Sequence, residues 1–154
     1  MRRALALALL LAACGKAAEE APQVWRVAGA PIASTSRDAA ALAGDWQVGA
    51  AYPGPGPGVG VPVRVSFAAD GSGVLGWDGG SWELTPLSAG RWQGPAGPLW
   101  LLWADESFRV AVLGSPEGTF GFVLERPGQV QGDLREAARE MLDFNGYELG
   151  ELRR

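Results

Sequence analysis

The 154-residue chain has the length of one domain, is 47% hydrophobic and 19% charged, and carries a formal net charge of −4. It contains no His and a single Cys. That removes Ser-His-Asp and Cys-His catalysis, the usual zinc sites, a neutral-pH proton shuttle and any intrachain disulfide.

The N-terminus, "MRRALALALLLAAC", has two Arg and then an apolar run from Ala4 to Ala13, too short to span a bilayer as a helix. It reads as a secretory signal over residues 1–13. The segment Leu11-Ala12-Ala13-Cys14 resembles the bacterial lipobox, a small-residue cleavage site directly before a Cys that becomes lipidated. The alternative is an ordinary signal peptide with an incidental Cys. Acyl chains on Cys14 would anchor the protein to a membrane, at about 0.8 kcal/mol per buried CH₂. Gly15 follows the Cys in place of Asp. In a host with two membranes, resemblance to sorted lipoproteins implies the outer one, with the protein facing the periplasm. Removing Arg2 and Arg3 takes the 13 basic side chains to 11 against 17 acidic ones, a balance of −6. No Lys/Arg cluster offsets this, so nucleic acid and anionic membrane surfaces are not expected as electrostatic partners.

Residues 14–36 read as a tether and an extended segment, with Trp25, Val27 and Ile32 expected to dock on the domain that occupies 37–154. From Leu42 onward, eight short strand patterns alternate with turn signals: "DWQVGAAY", "GVPVRVSFA", "GVLGW", "SWELTP", "GRWQG", "PLWLLWA", "SFRVAVL" and "TFGFVLE". The loops between them, such as "PGPGPGV", "DGG" and "GSPEG", are too short to hold crossover helices. Consecutive strands should therefore pair antiparallel, in an up-and-down barrel or a sandwich. By alternation, Val48, Ala50, Val63, Val65, Trp82, Leu84, Val110, Val112, Phe120 and Phe122 should face inward. The run "PLWLLWA" is apolar on both faces and needs a cover. Leu134, Ala137, Ala138, Met141 and Leu142 at i, i+3, i+4, i+7, i+8 spacing supply a C-terminal helix to cover it, with Asp133 as cap and Asn145-Gly146 as stop.

The acids Asp70, Asp78, Asp105 and Glu106 fall in turns, where hydrogen-bonded Asx turns account for them. "PGPGPGVG" has no following Lys-Ser/Thr and opens no helix, so it is no phosphate loop. No residue pattern calls for catalysis, a metal or a cofactor.

Up-and-down order brings Trp46, the turn Asp105-Glu106-Ser107 and Arg126 to the same end of a barrel, where a guanidinium stacked on an indole contributes about 0.5–2 kcal/mol. Gly44-x-Trp46 opening the first strand, Phe108 after the acidic turn and Arg126 closing the eighth resemble the lipocalins (calycins), and specifically their bacterial lipoprotein branch. The matching stretches are "LAGDWQV", "LWADESFRVAVLGSPEGTFGFVLERP" and "LREAAREMLDFNGYEL", within residues 38–152. Glu106-Ser107-Phe108 departs from the family's Thr-Asp-Tyr-like triplet, so the hydrogen bonds of that turn must be rebuilt. The resemblance implies an all-β, eight-stranded antiparallel up-and-down barrel with one helix on its flank, closed at the Trp46 end and open at the other. It also implies binding of a small hydrophobe in the barrel, with a fatty acid such as palmitate or a lysophospholipid as cargo. Two alternatives stand beside it: a core filled by its own side chains, and a small envelope barrel that binds protein, such as a protease inhibitor using residues 22–36. Oligomeric state is not legible.

Overall fold

A computed structural model describes residues 20–154. The signal segment and Cys14 lie outside the described residues.

Eight strands run in chain order around a closed barrel, each paired antiparallel with its sequence neighbour. They are β1 (Gly44–Ala51), β2 (Pro62–Phe67), β3 (Gly73–Trp77), β4 (Gly80–Ser88), β5 (Arg91–Gly94), β6 (Gly97–Ala104), β7 (Val110–Gly114) and β8 (Gly121–Glu125). Closure comes from β1 pairing with β8, from Gln47↔Glu125 to Ala51↔Phe122. Short Gly-bearing connections force this meander, because none can carry a crossover. At Gly79 (φ 97°), in the β3–β4 hairpin, the left-handed backbone is one that glycine adopts without strain. The sandwich alternative is thereby removed.

Two apolar clusters divide the buried residues. The first fills the barrel and includes Trp46, Val48, Val63, Val65, Leu75, Trp82, Leu84, Trp92, Leu113, Phe120, Phe122 and Leu124. The second lies outside the wall, where Ala50, Leu102, Val110, Val112 and Val123 meet Ala138 and Leu142 of helix α1 (Gly132–Phe144). The helix packs on β6 and β7, the cover that the doubly apolar sixth strand requires. Its N-cap is Gln131 rather than Asp133, which sits in the first turn, where a carboxylate favours the helix dipole. Asn145 ends it, its Nδ2 donating to Met141 O at 2.8 Å, and Gly146 follows at φ 80°.

The N-terminal segment is fastened along the barrel. Trp25 N–H donates to Gly118 O (2.8 Å), Val27 N–H to Gly146 O (2.9 Å) and Thr35 N–H to Leu101 O (2.9 Å). Arg26 acts as the clasp: its guanidinium donates to the carbonyls of Asn145, Pro116, Ala30 and Pro31 and lies over the Tyr147 ring. Trp25 is buried and stacks on Tyr52 with ring centroids 5.9 Å apart. Ile32 packs on the outer cluster. Val27, expected to dock, is 54% exposed, because the chain turns there, with Ala30 N–H donating to Val27 O at 3.1 Å. After the helix the chain makes single bridges, Arg26↔Tyr147 and Ala51↔Arg153, around a 3₁₀ turn at Leu149–Glu151.

Candidate functional site

The strands define two barrel ends of different character. At one end a 3₁₀ turn (Ala39–Leu42), capped by Asp38 Oδ1 accepting from Ala40 N–H, seats the buried Leu42 in the interior. Trp46 lies just inside, 1% exposed, its indole N–H donating to Leu42 O at 2.7 Å. Arg126 covers it, with the guanidinium carbon 3.7 Å from the ring centroid. The same guanidinium donates to four carbonyls, those of Phe108, Asp45, Ala41 and Ala43. Gly44 (φ 113°) leaves room for it: a Cβ there would stand 2.8 Å from Arg126 Nη1. Burial lowers the pKa of Arg126 and Asp45 partly opposes the shift. The convergence of Gly44, Trp46, Phe108 and Arg126 read from the sequence is thus present.

The rebuilt turn between β6 and β7 rests on Asp105. Its carboxylate accepts from Arg109 N–H (2.6 Å), Val110 N–H (2.9 Å) and Arg109 Nε (2.9 Å). Burial opposes ionisation of this carboxyl, but these hydrogen bonds outweigh it and the net pKa lies below 3.8. Phe108 stands at φ 49°, a left-handed backbone uncommon for a non-glycine residue, and packs on the interior cluster.

At the opposite end the mouth is roofed, where the sequence had suggested an opening. Trp82 makes edge contacts with Trp77 (5.8 Å between centroids) and Phe120 (4.9 Å), and Phe122 lies 6.2 Å from it. The β1–β2 loop folds over this aromatic layer. A Cβ on Gly56 would lie 3.1 Å from Trp82 Cη2 and 3.6 Å from Phe122 Cε1, and Pro57 is buried. Alternating Pro and Gly make this possible, since proline fixes φ while Gly54 (φ 144°) and Gly56 (φ 109°) turn the chain back across the opening.

Of the ten residues expected to face inward, Val48, Val63, Val65, Trp82, Leu84, Phe120 and Phe122 do so. Ala50, Val110 and Val112 do not: all three sit on the outer wall beneath α1. Two local irregularities shift the phase. A β-bulge between Val48 and Ala50 sends Ala51 inward and Ala50 outward. The left-handed Phe108 breaks the alternation before β7, so Ala111 and Leu113 face the interior. Strict alternation carried across either point places every later side chain on the wrong face. Leu75, Trp92, Leu99, Leu101 and Leu124 complete the interior; in a strand such as "VAVLG", apolar on both faces, no sequence signal tells in from out. The lining is apolar throughout. Among the described residues no group of His, Cys, Asp and Glu is placed to hold a metal ion.

No family model and no curated protein matches the chain. Solved structures do. Lobster apocrustacyanin A1 superposes with a TM-score of 0.56 at 17% identity, over 75% of this chain and 77% of that one. Apocrustacyanin C1 gives 0.56 at 16% identity, over 74% and 76%, and apocrustacyanin C2 gives 0.56 at 15%, over 80% and 87%. The likeness is one of fold: a closed eight-stranded antiparallel lipocalin barrel with a C-terminal helix.

Proposed function

We propose that this lipocalin-fold chain binds a small hydrophobic molecule in its barrel, as a lipid-anchored carrier tethered through Cys14 at the outer membrane and facing the periplasm. The cargo is a fatty acid or lysophospholipid. The observation that supports this reading is the apolar interior in which Trp82, Phe120 and Phe122 lie directly beneath the Gly56 loop. An apolar chain enters when the loop lifts and these rings rotate, and affinity comes from apolar burial at roughly 25 cal/mol per Å². The chemistry offered is capture: the interior cluster is built of Leu, Val, Ala, Phe and Trp side chains.

The competing reading, a protease inhibitor working through residues 22–36, needs that segment free to enter a partner's cleft. Its hydrogen bonds from Trp25 to Thr35 tie it to the barrel instead. The test is a titration of the protein with fatty acid and lysophospholipid, followed by Trp fluorescence and native mass spectrometry. Saturable binding of one ligand per chain supports the carrier. Unchanged emission with no bound mass overturns it.

A further inference from the structure

We infer that the mouth end of the barrel, and not the Trp46 end, lies against the bilayer, with the β1–β2 loop as the contact surface. This rests on the anchoring through Cys14 proposed above.

The two ends differ in where charge sits. The mouth loops 52–61 and 94–97 hold no ionisable side chain except the buried Tyr52, the two other mouth turns carry one exposed acid each, Asp78 and Glu117, and residue Val59 is 39% exposed at the surface of the β1–β2 loop. Beside that loop a groove of about 490 Å³ is walled by Pro53, Pro57 and Val59 on one side and by Arg153 and Arg154 on the other. An apolar rim next to two guanidinium groups matches the boundary between acyl chains and lipid phosphates. The Trp46 end instead presents Arg37, Asp38, Asp70 and Glu106. Ion pairs and turn-bound carboxylates of that kind are costly to bring against hydrocarbon.

The attachment point agrees. Trp25 is fixed at the mouth by its N–H to Gly118 O and its indole N–H to Pro53 O, both at 2.8 Å. Cys14 lies eleven residues earlier, so the anchor is within about 40 Å of the mouth at full extension. Turning the other end to the membrane would use roughly 26 Å of that reach simply to run back along an eight-residue strand. With the mouth toward the bilayer, a ligand passes between membrane and barrel beneath the Gly56 loop without crossing water.

The test places a polarity-sensitive fluorophore on Val59→Cys or on Leu87→Cys in the full lipidated chain. Leu87, 57% exposed near the β4–β5 turn, reports on the opposite end. Each protein is reconstituted on phosphatidylethanolamine vesicles with and without brominated acyl chains, and the intact mass reports acylation of Cys14. The expected result is a blue shift and quenching at position 59 with no change at position 87. Quenching at 87 alone, or at neither position in an acylated protein, overturns the orientation while leaving the anchor standing. A mass without acyl chains removes the anchor and the orientation together.

Discussion

Replacing Trp82 with Ala tests whether the indole is the plug of the barrel. Trp82 is 6% exposed, touches Trp77, Phe120 and Phe122, and carries the Gly56 loop on its edge. Truncating a buried Trp costs about 3–5 kcal/mol through lost transfer energy and residual cavity. For a domain of this size that lowers Tm by about 6–20 °C, taking roughly 2–4 °C per kcal/mol. The hollow left behind is on the order of 100–150 Å³ and is lined by Phe and Leu side chains, the kind that stays dry and accepts an apolar guest. A fatty acid at a hundred times its Kd should then restore about 2.7 kcal/mol, over half the loss. Calorimetric melts with and without ligand read both effects. A Tm within a few degrees of the parent, or a large loss that no apolar ligand recovers, would refute the idea that this ring occupies the ligand's place.

Arg126→Met keeps the stem over Trp46 but removes the hydrogen bonds to four carbonyls; a loss of about 2–3 kcal/mol is expected, seen as a lower denaturant midpoint at unchanged slope. Val112→Ala should destabilise by roughly 2 kcal/mol and raise amide exchange in α1, while ligand affinity stays as it was, because Val112 supports the helix from outside the barrel. Acid should weaken the fold through Asp105. Its folded pKa is depressed below 3.8, so its contribution is present above the unfolded value and fades as pH falls below about 4. Asp105→Asn should flatten that limb of the stability curve. At the alkaline end, burial raises the pKa of both Tyr52 and Tyr147 above 10.0. Their contribution is full below that value and declines as pH climbs past it, which Tyr52→Phe should reduce in denaturant titrations between neutral and alkaline pH.

Strand number, order and pairing were legible in the chain because they depend on local quantities: apolar runs of strand length, and loops too short for anything but antiparallel neighbours. The helix was legible for the same reason, through the 3.6-residue spacing from Leu134 to Leu142. The closed-end meeting of Trp46 and Arg126 followed from topology, since up-and-down order puts the first strand's start beside the last strand's end, and Gly44 joined it through the family resemblance. Side-chain direction was legible only where alternation ran unbroken, as in Val63 and Val65. It failed at Ala50, Val110 and Val112, because a bulge and one left-handed Phe each move the phase by one residue, and neither leaves a mark in hydrophobicity. The roof over the mouth was equally hidden. Pro/Gly alternation announces a turn, but whether the turn lies open or folds back depends on the aromatic surface that Trp82 and Phe122 offer it from distant strands. What the sequence determined by itself were the elements and their neighbours; which face each residue shows, and whether the barrel stands open, were decided by contacts that exist only once the sheet has closed.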